Sequence, residues 1–92
     1  QASVSLVAGA SAAGQPGCSA VYCHYLKVTI KNMNSGTYGY KCIENGTAFD
    51  TGTASFTEGV GKQLPCYDGN DADVYATVNG VASNHVNPKR DW

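Results

Sequence analysis

Four cysteines, two histidines and a short acidic run are the side chains of this 92-residue chain with chemistry to offer. Cys18 and Cys23 flank Ser19-Ala20-Val21-Tyr22, whereas Cys42 and Cys66 lie far apart. Four thiols allow three pairings, and spacing alone does not choose among them. The favoured arrangement joins Cys18 to Cys23, closing a tight loop ahead of a strong strand, and Cys42 to Cys66. In the chain-entropy picture these links are worth about 2 and about 3.5 kcal/mol, a large share of what a small domain has. Zinc held by Cys18, Cys23 and His24 is disfavoured by the four-residue gap and the lack of a second paired motif. A redox Cys-x-x-Cys is absent.

Nucleophilic catalysis needs a base beside the nucleophile and a group to orient it. His24 follows Cys23 at a strand start, and His85 lies in the last strand; no Gly-x-Ser-x-Gly elbow surrounds any serine. Asp50, Glu58, Asp68, Asp71 and Asp73 supply carboxyls for glycosidase chemistry, but they read as solvated turn residues. No catalytic residue is assigned. Asp68, Asn70, Asp71 and Asp73 concentrate the oxygen ligands calcium prefers, yet Ala72 interrupts the EF-hand pattern and no glutamate closes it. The default is no metal. Gly59-Val60-Gly61-Lys62 lacks the remainder of a phosphate loop, so no cofactor is expected.

Six tyrosines against two phenylalanines point to half-exposed sheet faces or a contact surface. Tyr22, Tyr25, Tyr67 and Tyr75 are the binding candidates, with Tyr25 and Tyr75 able to form a sugar-stacking or protein-binding patch if both face outward. The plainer reading is that their rings cover a small core. Asn45-Gly46-Thr47 meets the glycosylation sequon, although a hairpin explains the same residues.

The elements that must position these groups are strands. Eleven glycines and abundant Thr, Ser, Val and Tyr, with few Leu, Glu, Arg and Met, favour strands and tight turns. Alternation predicts a first strand through Val4, Leu6 and Ala8, then a mobile loop from Gly9 to Gly17 unless Cys18 ties it down. A clear strand follows at His24 to Lys31, with Leu26, Val28 and Ile30 inward. A third carries Tyr38, Tyr40 and Cys42 on one face and Thr37, Lys41 and Ile43 on the other. Asn45-Gly46 turns the chain into Thr47 to Thr51, anchored by Phe49. Another strand is expected at Ala54 to Glu58, Cys66 begins a polar loop, and Val74, Ala76 and Val78 mark a further strand. Asn79-Gly80 then reverses it into Val81 to Val86, and the tail from about residue 87 frays. Short strands about ten residues apart predict a single domain, 1–92: a small all-β antiparallel sandwich of the immunoglobulin or fibronectin type III kind, with two disulfides.

Size and charge narrow the class further. A chain this short is marginally stable on its core alone, so the cysteines read as structural disulfides of an oxidising, extracellular compartment. Six basic residues nearly balance seven acidic ones without forming a stripe, which argues against nucleic acid. No apolar run approaches the roughly 18 residues of a membrane span, and Gln1-Ala2-Ser3 does not begin a signal peptide. The chain reads as a mature or excised fragment.

Gly17-Cys18-Ser19 with Cys23, Leu26-Lys27-Val28-Thr29-Ile30, Gly36-Thr37-Tyr38 to Cys42, and Val78-Asn79-Gly80-Val81-Ala82-Ser83-Asn84 together resemble a cysteine-bearing immunoglobulin-like module. That module is appended to actinobacterial secreted and membrane-anchored proteins, including the extracellular ends of receptor-type serine/threonine kinases. The likeness covers about residues 3 to 86, and Asp68 to Asp73 depart from it. It implies a non-catalytic ectodomain with disulfides at Cys18, Cys23, Cys42 and Cys66, and it supplies no functional residues.

Two functions follow as expectations. One is a secreted or cell-surface binding or sensing module for cell-wall carbohydrate, peptide or a protein partner. The other is a secreted hydrolase inhibitor with contact loops Ser19 to Tyr22 and Tyr67 to Asp71. A structural spacer with no ligand is a third, blander possibility beside the two. None of these fixes an oligomeric state.

Overall fold

The computed structural model describes Gln1–Trp92 and contains seven strands and one helical turn. In chain order they are β1 (Ser3–Ser11), β2 (His24–Lys31), β3 (Gly36–Glu44), β4 (Thr47–Phe56), β5 (Lys62–Asp68), β6 (Val74–Val78), β7 (Val81–Ala82) and α1 (Pro88–Asp91). Two antiparallel sheets form, ordered β1-β2-β5 and β4-β3-β6-β7. The strands face each other through alternate side chains, so Val4, Leu6, Leu26, Val28, Ile30 and Leu64 of one sheet meet Tyr40, Cys42, Phe56, Val74, Ala76 and Val78 of the other. The domain is thus a small all-β sandwich, and its strand β4 pairs with β3 instead of joining the first sheet.

The two-residue turns behave as their residues require. Asn45 and Gly46 have φ of 49° and 82°, and Asn79 and Gly80 have 51° and 76°. These left-handed values suit the right-handed twist of the flanking strands. At Gly52 the constraint is space: a Cβ there would stand 2.9 Å from the Tyr40 hydroxyl. That hydroxyl donates to Asp50 across the strand pair, at 3.2 Å, and burial together with the Asp50 charge raises the Tyr40 pKa.

Several expectations need correction. Thr47 to Thr51 and Ala54 to Glu58 are one strand, β4, and Phe49 is no anchor. The register shifts from Cys42↔Asp50 to Ile43↔Ala48, leaving Phe49 as the extra residue of a bulge and 44% exposed. Residues 62–68 form β5, so Cys66 lies within a strand and not at the start of a loop. Pro65 masked the pattern, and a proline is tolerated here because β5 is an edge. The β2–β5 register slips by two residues around it.

The last strand is shorter than the alternation of Val81 to Val86 implies. After Ala82 the chain bulges, with Ser83 Oγ accepting from the Ala76 N–H and only Val86 returning to bridge Val74. The loop expected from Gly9 starts only after Ser11, where β1 ends, and it has an anchor: Ala12 is buried against Cys18 and Cys23, and its N–H donates to the Cys23 carbonyl. The tail forms α1 in place of fraying. Asn87 accepts from the Arg90 N–H, Asp91 accepts from the Asn87 N–H, Pro88 is buried at the first turn, and Trp92 packs on the core. These contacts satisfy a helix start that is otherwise too short to persist.

Candidate functional site

Both disulfides form, Cys18 to Cys23 and Cys42 to Cys66, and no free thiol remains. Cys42 sits on β3 and Cys66 on β5, so this bridge crosses between the sheets. The other holds Ser19–Tyr22 as a closed loop at one end of the sandwich. Gly69 packs under it so tightly that a Cβ would lie 2.9 Å from the Cys23 Cβ. The loop after β5 is thereby clamped to the loop before β2.

Three hollows run together across this end. The first, about 220 Å3, lies between Ser19, Ala20, Tyr22, Gly69 and Asn70. The second, also about 220 Å3, shares Gly17, Cys18, Gly69 and Asn70 and continues to Glu44, Phe49, Tyr67 and Asp68. The third, about 390 Å3, extends past Phe49 and Tyr67 to Asp50 and Pro65. The result is one shallow groove with aromatic rings, an amide and carboxyl groups along it. A broader depression of about 760 Å3 lies on the outer face of the four-stranded sheet. Its lining is mainly threonine, glycine and asparagine, and its one aromatic residue, Tyr40, turns inward.

Of the four tyrosines singled out, three belong to the groove end. Tyr67 lines it and donates to the Pro16 carbonyl at 2.8 Å. Tyr25 stands opposite Tyr67 in the β2–β5 register and meets it edge to face, with ring centroids 5.5 Å apart. Its ring packs beside Ala12 and the Cys18–Cys23 bridge, so Tyr25 supports the bridge and Tyr67 from behind and lines none of the hollows. Tyr22 sits on the closed loop next to Val21, which is 82% exposed. Tyr75 lies elsewhere, on the outer face of the other sheet, where His85 stacks on it at 4.1 Å. Tyr25 and Tyr75 therefore do not share a patch.

Of the four oxygen-bearing residues weighed for calcium, Asp68 and Asn70 bond to each other, while Asp71 and Asp73 turn to other partners. Asp71 accepts from the Asn87 amide and lies 3.4 Å from Arg90, and these contacts lower its pKa. Asp73 is 2.7 Å from His85 Nδ1. Asn70 donates to Glu44 at 2.8 Å, and its N–H donates to Asp68. The three aspartates do not converge on a common point, because each answers a different element. The cluster that does converge, Cys42, Asp50 and Cys66, has its sulfurs committed to the disulfide.

Asp68 is also no solvated turn carboxylate. It ends β5 on the inward-facing positions of Leu64 and Cys66 and is 5% exposed. Burial pushes its pKa up to about 7, with the neighbouring Glu44 adding to the rise. Glu44 moves the opposite way, held below its usual range by hydrogen bonds from Asp68 and then from Asn70. One proton between the two carboxyls accounts for both shifts. Sequence reasoning missed Glu44, although the signal was present: Glu44 follows Cys42 by two residues and Asp68 follows Cys66 by two. Once those cysteines pair, strand alternation turns both carboxyls into the same space. Phe49 and Gly69 carried no comparable signal, since their roles depend on a bulge and on loop packing.

No helix is long and apolar enough to cross a membrane. Comparison with protein-family models, with curated proteins and with solved structures found no match.

Proposed function

We propose that the chain is a non-catalytic, extracellular binding or sensing module whose ligand lies in the groove beside the Cys18–Cys23 loop. The supporting observation is the continuity of the three hollows, which brings Tyr22 and Tyr67 into line with Asn70 and Glu44. Rings that offer an apolar face beside amide and carboxyl groups suit a cell-wall saccharide or a short peptide. The disulfide and Gly69 hold the groove rigid, which reduces the ordering cost of binding. Two disulfides in so small a domain also fit an oxidising, extracellular setting. The resemblance to actinobacterial immunoglobulin-like ectodomains agrees with this role.

Co-sedimentation with insoluble peptidoglycan and with purified polysaccharides tests the proposal. Wild type should pellet with one of them, Tyr22→Ala and Tyr67→Ala should remain largely soluble, and Tyr75→Ala, on the far face, should behave as wild type. Equal pelleting of all four proteins, or of none, rejects the groove.

A second reading, secreted inhibition of a hydrolase, draws on the adjacency of its two contact segments. Ser19, Ala20 and Tyr22 share a hollow with Gly69 and Asn70, giving two loops on one protruding end. Stoichiometric loss of activity in a panel of proteases and glycosidases would favour it over the first.

A further inference from the structure

A two-layer sandwich has four sheet edges, and three of these are guarded. On β1 the Asn84 amide occupies the Leu6 backbone, its Oδ1 accepting from the N–H at 2.7 Å and its Nδ2 donating to the carbonyl at 3.2 Å. Val4 also bridges to Ser83. Strand β5 carries Pro65, which has no N–H to offer, at a break in its ladder. Strand β7 is only two residues long. These are the usual protections against strand addition.

The fourth edge, β4, has none of them over Thr51–Phe56. It is the longest strand of the fold, pairs with β3 alone, and makes no backbone hydrogen bond to any other element. The segment Thr51-Gly52-Thr53-Ala54-Ser55-Phe56 contains no charge and no proline. Its bulge lies before it, at Phe49. In an antiparallel ladder with one neighbour, alternate residues turn their N–H and C=O away from the sheet, so this edge is an open template.

We infer that β4 pairs antiparallel with β4 of a second copy of this chain, about a two-fold axis at Thr53, joining two four-stranded sheets into one. The sequence around Thr53 is self-complementary in that register. Thr53 faces its own counterpart, and Thr51 faces Ser55, so the outward side chains meet as hydroxyl pairs. On the inward side Gly52 meets Ala54. Asp50, the only charge on β4, is tied to Tyr40 within its own subunit, which leaves no like charges facing each other across the ladder.

Area sets the strength. Asp50 to Phe56 spans about 24 Å, and an edge about 10 Å deep presents roughly 240 Å2 per copy. Stable interfaces bury about 800 Å2 per partner. The dimer is therefore transient and forms only at high concentration. Of the paired stretch only Asp50, at its end, lines the groove, in the third hollow; Thr51–Phe56 line none of the three, so the association leaves the two hollows beside the Cys18–Cys23 loop free.

Sedimentation velocity on the intact chain from about 0.05 to about 2 mM tests the inference. Wild type should shift reversibly toward dimer as concentration rises. Thr53→Lys, which places two ammonium groups on the axis while its own side chain points to solvent, should weaken association at least about tenfold. Ser5→Lys, exposed on β1, should leave it unchanged, and circular dichroism should confirm that both variants are folded. A wild type that stays monomeric throughout, its edge left to solvent or to a foreign strand, would overturn the inference. So would a Thr53→Lys protein that dimerises as wild type does.

Discussion

Replacing Asp68 by asparagine should change how stability depends on pH. The folded chain holds the Asp68 proton up to about pH 7, whereas an unfolded aspartate releases it near pH 4. Between those values the folded state binds more protons, so unfolding free energy falls as pH rises. The full contribution is present below about pH 4 and is lost as pH climbs through about 7. Converted unit for unit, the shift is worth about 4 kcal/mol. Water at the groove screens part of that. Glu44 contributes in the opposite sense, since a depressed carboxyl stabilises above its ordinary pKa and loses that stability as pH falls. A net loss of about 2 kcal/mol between about pH 5 and about pH 8.5 remains. The asparagine keeps an oxygen for the Asn70 N–H and an N–H for Glu44, but has no proton to lose. Urea unfolding followed by Trp92 fluorescence at several pH values would measure both proteins, and the difference between them isolates the Asp68 carboxyl. Wild type should weaken across the range while Asp68→Asn stays comparatively flat. Parallel curves would refute the buried carboxyl pair.

Three further outcomes follow from the geometry. Removing the Cys42–Cys66 bridge by paired Cys→Ala substitution should cost about 3.5 kcal/mol in urea unfolding, against about 2 kcal/mol for Cys18 and Cys23; the reverse order would deny the longer bridge its role. Asn84→Ala should lose about 1 to 3 kcal/mol, because it leaves two backbone groups of Leu6 unpaired on the β1 edge, and amide exchange at Leu6 should quicken. Gly52→Val should cost about 1 to 3 kcal/mol by driving into the Tyr40 ring; an unchanged melting curve would mean the ring sits elsewhere.

The parts of this fold that were legible in the sequence are those set by local pattern. The alternation of Leu26, Val28 and Ile30 and the Asn-Gly pairs at 45–46 and 79–80 each specify one geometry, and each appears where expected. Strand β5 was hidden because a proline stands on its outward face and a charged residue, Asp68, at one of its inward positions, and only its edge position makes Pro65 tolerable. The α1 turn escaped notice because four residues carry no periodicity; its stability comes from Asn87, Asp91 and the seat of Trp92. The tyrosines were identifiable as surface aromatics, yet which of them share a face is a long-range matter. Tyr25 meets Tyr67, far away in the chain, through strand pairing, while Tyr75 belongs to the opposite sheet. Asp68 was misread for the same reason, since its burial depends on where β3 and β5 end.

The groove can be tested most directly by following backbone amide resonances while soluble peptidoglycan fragments are added to the isotopically labelled chain. Binding there predicts progressive shifts confined to Ser19–Tyr22, Tyr67, Gly69 and Asn70, with Tyr75 and Thr77 on the far sheet undisturbed. Saturable shifts centred on that far sheet, or a spectrum indifferent to every fragment and peptide offered, would contradict it.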